Sequence, residues 1–157
     1  MDEAEQYHYE QAQAWLEHVR GLKLAEERAA RMVELMESIA EGVKGLDYAR
    51  EHVSGGQAVD RMAEAVSRLD EMRIQFGANS VAYREEAQDA VARLCKLEDT
   101  DERDALCHHY CGGTEWADVA RMMHYSEARI YQIRQAGVLH AYEVMPIKWR
   151  DPHHQAV

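Results

Sequence analysis

The sequence is short of the residues that turn a chain. Its 157 residues include only 2 Pro and 9 Gly. An all-β sandwich or barrel needs turn signals at short, regular intervals, so that class is excluded. Cys is scarce and odd in number, at three, which excludes a fully paired disulfide framework and fits reduced thiols in a cytoplasm. No uncharged apolar run extends beyond a few residues, so no segment reads as a transmembrane helix. The opening Met1-Asp2-Glu3-Ala4-Glu5 is acidic with no apolar run behind it, and no secretory signal is expected. Basic residues are outnumbered, 18 Lys and Arg against 29 Asp and Glu, for a formal charge of −11. That balance argues against a general nucleic-acid binder with a basic surface. What remains is 46% hydrophobic and rich in Ala, Glu, Arg, Met and Leu, enough for a core and strongly helix-forming. The expectation is an all-α chain of one domain or two small ones.

The charge is unevenly spread. Residues 1–98 hold 20 acidic and 12 basic residues, net −8, whereas residues 126–150 hold 2 acidic and 4 basic, net +2. One short C-terminal stretch is therefore mildly basic within an acidic chain.

Residues 3–53 place Trp15, His18, Leu22, Ala25, Ala29, Met32, Met36, Ile39, Val43 and Leu46 at alternating steps of three and four, a heptad stripe. Ser54-Gly55-Gly56 breaks it. A second stripe follows, with Val59, Met62, Val66, Leu69, Arg73, Phe76, Ser80, Tyr83, Ala87, Ala90, Leu94 and Leu97. It stays in phase across Gly77-Ala78-Asn79-Ser80, so the helix is expected to continue through that patch. Residues 1–98 thus read as a long antiparallel helical hairpin, coiled-coil-like, with its joint near 54–57. A two-helix hairpin has little core of its own, so a second copy of the chain is the expected partner. Arg73, in the stripe, is a candidate to fix register by pairing with an acid on a neighbouring helix.

At Glu98-Asp99-Thr100 the pattern changes, and Asp99 or Thr100 can cap a new helix over 101–110. Cys111-Gly112-Gly113 ends it. A second helix over 115–123 carries Trp116, Val119 and Ala120 on one face, with Thr114 as its expected cap. His124-Tyr125 makes a tight turn. A third helix starts at Ser126, points Ile130 and Ile133 inward and runs towards Val144, where Met145-Pro146 stops it. Residues 99–146 read as a small helix-turn-helix domain and 147–157 as a tail.

The sequence Glu115-Trp116-Ala117-Asp118-Val119-Ala120, then His124-Tyr125-Ser126, then Arg129-Ile130-Tyr131-Gln132-Ile133, resembles the promoter-reading C-terminal domain of bacterial sigma factors. There an apolar-Ala pair sits on the supporting helix, a Ser or Thr opens the recognition helix and an Arg-Ile-x-Gln-Ile core follows. Val138 stands where that pattern has Leu. The chain over 15–145 is similar to phage and prophage sigma-like helix-turn-helix proteins, relatives of phage late-gene transcription activators, with a helical hairpin ahead of the DNA-reading domain. The resemblance implies double-stranded DNA as ligand, bacterial RNA polymerase as a partner and the bacterial host cytoplasm as location. Two positions depart from it. Sigma domains commonly read bases with an Arg and a Glu at the second and third places of the recognition helix, where this chain has Glu127 and Ala128. The ordinary sigma recognition sequence is therefore not the expected target.

A recognition helix presents its N-terminal half to base edges in the major groove. The candidate DNA-binding residues are Thr114, Ser126, Glu127, Ala128, Arg129, Tyr131, Gln132, Arg134 and Gln135. Gln can pair bidentately with adenine, Glu accept from cytosine, Ala touch a thymine methyl, and Arg read guanine or clamp phosphate. Thr114 and the amides opening the second helix can hold a phosphate. A plain three-helix domain with a solvated Arg/Gln face fits the same spacing. Few cations per chain mean weak binding by one copy, because phosphate neutralisation supplies much of the affinity. A homo-oligomer, with a dimer favoured, or joint binding with RNA polymerase offsets this.

Cys107, His108, His109, Cys111 and His124 have spacings open to zinc, but the stronger reading is that Leu106, Cys107 and Tyr110 suit the domain core, and no metal or other cofactor is expected. No phosphate-binding Gly loop, Cys–His catalytic arrangement or paired-carboxylate site stands out, so the reading is not an enzyme. The main competing reading is a protein-interaction module or inhibitor that binds a host nucleic-acid machine. A third is a DNA-packaging recognition subunit, which also joins a helix-turn-helix to an oligomerising helical segment.

Overall fold

The computed structural model describes residues 1–49 and 55–150, with the backbone alone for 43–49, 55 and 58. Five α-helices account for most of them: α1 Glu3–Ala49, α2 Gly55–Leu94, α3 Thr100–Leu106, α4 Trp116–Met123 and α5 Glu127–Ala141. A π-helical turn, Cys107–Cys111, extends α3, and a 3₁₀ turn, Ile147–Trp149, follows α5. Among the described residues there is no strand, and no helix is long and apolar enough to cross a membrane. Ser54, expected in the joint, and His153-His154 lie outside the described residues, as do the side chains of Val43 and Leu46.

Local chemistry sets the helix starts. At the head of α1 the Asp2 carboxylate accepts from the Glu5 amide at 2.8 Å, and the Glu5 carboxylate accepts from the Asp2 amide at 3.1 Å. That reciprocal pair satisfies two donors that a helix start would otherwise leave free. Asp99 caps α3, accepting from the amides of Asp101 and Glu102 at 2.9 and 3.1 Å. Helix α2 runs unbroken through Gly77-Ala78-Asn79-Ser80, as its in-phase stripe requires.

The described residues form two compact units, one of 1–24 with 83–150 and one of 25–49 with 55–82. These boundaries cut across the pattern change at 98/99. The first unit holds the main core. Tyr9, Ala12, Trp15, Leu16 and Val19 of α1 and Ala90 and Leu94 of α2 pack in one cluster with Leu106, Tyr110, Val138, Ala141 and Met145. The C-terminal helices therefore share their core with the start of α1 and the end of α2. A second cluster, Ala105, Val119, Ala120, Ile130 and Ile133, joins α3, α4 and α5.

Helix α3 meets α5 closely because position 137 is Gly. A Cβ there would stand 3.2 Å from the Glu102 Cβ and 3.2 Å from Leu106 Cδ1. Glu102 is buried at this crossing and is held by His140, whose Nδ1 lies 2.7 Å from the carboxylate.

Two expectations are corrected here. Residues 147–150 are not tail: Trp149 packs against the main core with its ring 5.2 Å from that of His18, and Arg150 donates to the Tyr142 carbonyl at 2.6 Å. A Trp carries enough apolar surface to bring a short segment back onto the core. Helix α5 ends at Ala141 rather than near Val144, where three tight turns lead into Pro146.

The second unit is nearly coreless. Leu69 is its one buried residue among those described. Met32, Leu35, Ile39, Val59, Val66, Ile74 and Val81 are exposed. The stripe expected on α1 holds in part: Trp15 is buried and Leu22, Ala25, Ala29 and Met36 are half-buried, but Leu16 and Val19 are buried beside it and His18, Met32 and Ile39 are exposed. Adjacent apolar pairs such as Ala29-Ala30 and Met32-Val33 make a wide apolar face, and periodicity does not say which edge of such a face packs. Arg73 pairs with Glu37 of α1 at 3.1 Å, but both side chains are about half exposed (53% and 45%). A solvated pair of this kind contributes at most about 1 kcal/mol, so Arg73 is not a buried register key.

This division makes a measurable contrast. Trp15→Ala should lower stability by about 3–5 kcal/mol in denaturant unfolding, through the cavity it leaves in the shared core. Arg73→Leu should change it by less than about 1 kcal/mol.

Candidate functional site

The α4–α5 segment begins with a loop that is bonded at both main-chain groups of Thr114. The Thr114 amide donates to the His108 carbonyl at 3.0 Å, and the Thr114 carbonyl accepts from His109 Nδ1 at 2.7 Å. Thr114 is therefore not the cap of α4. That place falls to Glu115, whose side chain makes no cap bond and instead pairs with Arg20 of α1 at 3.0 Å. With its amide engaged, Thr114 offers no main-chain donor to a phosphate.

Helix α4 ends at His124, the one non-glycine residue at positive φ among those described (φ 60°, ψ 37°). A left-handed residue reverses the chain in little space, and His is among the non-glycine types that tolerate it. The amides of His124 and Tyr125 bond back to the carbonyls of Arg121 and Ala120 at 3.2 and 3.0 Å. The Tyr125 hydroxyl donates to Asp101 at 2.6 Å, tying the turn to α3, and that carboxylate pushes the phenol's pKa up. Ser126 then caps α5, its Oγ accepting from the Arg129 amide at 3.1 Å.

Ile130 and Ile133 lock α5 onto Val119 and Ala120. The candidate residues then separate by helical geometry. Ser126, Glu127, Ala128, Arg129, Tyr131 and Gln132 are exposed on the first turns of α5. Arg129 Nη1 lies 3.4 Å from Gln132 Oε1, and its guanidinium is 5.9 Å from the Tyr125 ring centre. Gln135 is half-buried. Arg134 turns the other way, half-buried with its guanidinium 5.3 Å from the Trp116 ring centre. It follows Ile130 by four residues and Ile133 by one, so it belongs to the flank of the packed face. The structure thus gathers six of the nine candidates on one solvent face and leaves Thr114, Arg134 and Gln135 off it.

Two further groups border that face without having been among the DNA-binding candidates read from the sequence. Tyr125 stands immediately before the cap of α5. Arg121 is exposed at the end of α4 and paired with Asp118. Their places beside the turn were the available signal.

Behind the face lies an aromatic stack. His109 is 5% exposed, and its ring stacks on Trp116 with centroids 4.0 Å apart and an interplanar angle of 18°. Burial lowers its pKa to about 4, with the Arg20 and Arg134 cations adding to the shift and the Thr114 carbonyl and Glu115 opposing it. Its Nδ1–H is committed to Thr114 and His124 belongs to the turn. Among the described residues no group of three His, Cys, Asp or Glu side chains converges on a point where a metal ion would sit. What the face presents is amide, hydroxyl, carboxylate and guanidinium groups on the first turns of one capped helix.

His109 gives the site a pH signature. Its folded pKa lies below the ordinary value of 6.5, so the unfolded chain takes up the proton first as pH falls. The stability it contributes is fully present above pH 6.5 and is lost progressively between 6.5 and about 4. The full loss is about 3 kcal/mol. Urea midpoints measured across that window should fall, and His109→Gln should flatten this part of the profile. No protein-family model, curated protein or solved structure matches the chain, so what it does is to be read from this geometry.

Proposed function

We propose that the chain is a phage-type, sequence-specific DNA-binding transcription regulator, not an enzyme, acting in the bacterial host cytoplasm. In this reading α4, the turn at His124 and α5 are a sigma-like helix-turn-helix, and α5 enters the major groove. The observation that carries it is the row Ser126, Glu127, Ala128, Arg129, Tyr131 and Gln132, mostly polar and exposed on the first turns of a capped helix whose opposite face is packed on α4. Helix N-terminal halves held in this way are the ones that reach base edges. Gln132 is the adenine reader, Glu127 an acceptor for cytosine, and Arg129 a guanine or phosphate contact.

The long helices act as an antiparallel hairpin that joins copies of the chain. The Arg73–Glu37 pair between them and the exposed Met32, Leu35, Ile39, Val66 and Ile74 support this role. Two copies double the number of cations offered to DNA, which a chain of charge −11 needs. RNA polymerase binding at the same promoter serves the same end. The negative charge also favours a second reading, in which this face docks on a host protein of the nucleic-acid machinery.

The test is selection of bound duplexes from a random DNA library at moderate salt. One enriched sequence is expected, with affinity falling about 10- to 100-fold in Arg129→Ala or Gln132→Ala, the worth of a base contact. Folded protein that enriches no sequence, yet retains RNA polymerase, would establish the second reading instead.

A further inference from the structure

Two thiols stand together in the turn that links α3 to α4. Cys107 and Cys111 open and close the π-helical turn, with their thiols near enough to influence each other's ionisation. The spacing matters. In an α-helix, Cβ atoms four residues apart are about 5–6 Å from one another. A disulfide needs them at about 3.5–4.5 Å. A π turn closes its hydrogen bonds from i to i+5 and winds more residues into each turn. Here the Gly112 amide bonds the Cys107 carbonyl at 2.9 Å, which closes such a turn around the two cysteines.

The turn is also held in this form. The Tyr83 hydroxyl donates to the Cys111 carbonyl at 2.6 Å. Gly112 has no room for a side chain, since a Cβ would stand 2.8 Å from the His108 carbonyl oxygen. The two sulfurs differ in access: Cys107 is half-buried and Cys111 is buried. The third cysteine, Cys95, is exposed and lies outside the turn.

We propose that Cys107 and Cys111 are a modification site, a dithiol that hydroperoxides close to a reversible disulfide within one turn of helix. Cys107 is the attacking sulfur. The hydrogen bond from Cys111 holds its thiol below the usual range, against the opposing effect of burial, while Cys111 is pushed up by the same bond and by burial. The Cys107 thiolate attacks the peroxide O–O bond, and its sulfur becomes a sulfenic acid as one water (or alcohol) leaves. The Cys111 sulfur then attacks the sulfenic sulfur. The S–S bond forms, the S–O bond breaks, and the hydroxyl leaves as water with the Cys111 proton. Two thiols lose two electrons in all, and the peroxide gains them. A dithiol reductant reverses the step by exchange.

The experiment uses the full chain carrying Cys95→Ser, treated with hydrogen peroxide under native conditions and read by intact mass and thiol alkylation. The expected product is a monomer lighter by about 2 Da that has lost both thiols together and recovers them with dithiothreitol. Cys107→Ser should abolish that product and leave Cys111 alkylatable only after unfolding. Three results would overturn the assignment. They are Cys107 stopping at an oxygen adduct with Cys111 still reduced, a disulfide-linked dimer in place of the lighter monomer, or closure that occurs only in urea.

Discussion

Trp15 and its neighbours decide where this molecule is solid. Burying Trp15, Leu16 and Val19 of α1 against Leu94, Leu106, Tyr110 and Val138 makes one core from segments at both ends of the chain. Apolar area removed from water is the main favourable term in folding. The C-terminal helices α3, α4 and α5 are too short to enclose a core of that size alone. Their stability is borrowed from α1 and α2, while residues 25–82, with one buried side chain among those described, bury little.

That arrangement has a mechanical consequence for the candidate face. Helix α5 is gripped on one side by Ile130 and Ile133 and by the close crossing at Gly137, where Glu102 bonds His140. Its first turns are fixed by the Ser126 cap and by the turn that Tyr125 ties to Asp101. Side chains projecting from so constrained a helix lose little backbone entropy on binding, which is the advantage of a preorganised surface. The neighbouring acids explain why such a face is electrostatically weak on its own. Asp101 stands beside the turn, Glu127 opens the helix, and Arg129 is shared with Gln132.

Arg134 shows how packing redirects a residue that looks functional. In sequence it is one of few cations in the basic stretch. In the fold it lies over Trp116, whose ring also stacks on His109. The guanidinium is weakly hydrated and planar, so it covers an aromatic ring at low cost. Burial beside that stack keeps His109 neutral, and its ring nitrogen holds the carbonyl of Thr114, the residue that was expected to meet a ligand.

The all-α class, the capped start of α3 at Asp99, the unbroken run of α2 through Gly77, the Ser126 cap and the inward Ile130 and Ile133 were all legible in the sequence, because each follows from local propensity, capping chemistry or a period of 3.6 residues. Tertiary structure decided the rest. Which edge of α1's wide apolar face packs, whether Trp149 returns to the core, how Arg134 points and that residues 107–111 wind as a π turn all depend on partners far away in sequence. A stripe records that a face is apolar. It holds no record of what will cover that face, and that contact is made only when the ends of the chain meet around Trp15.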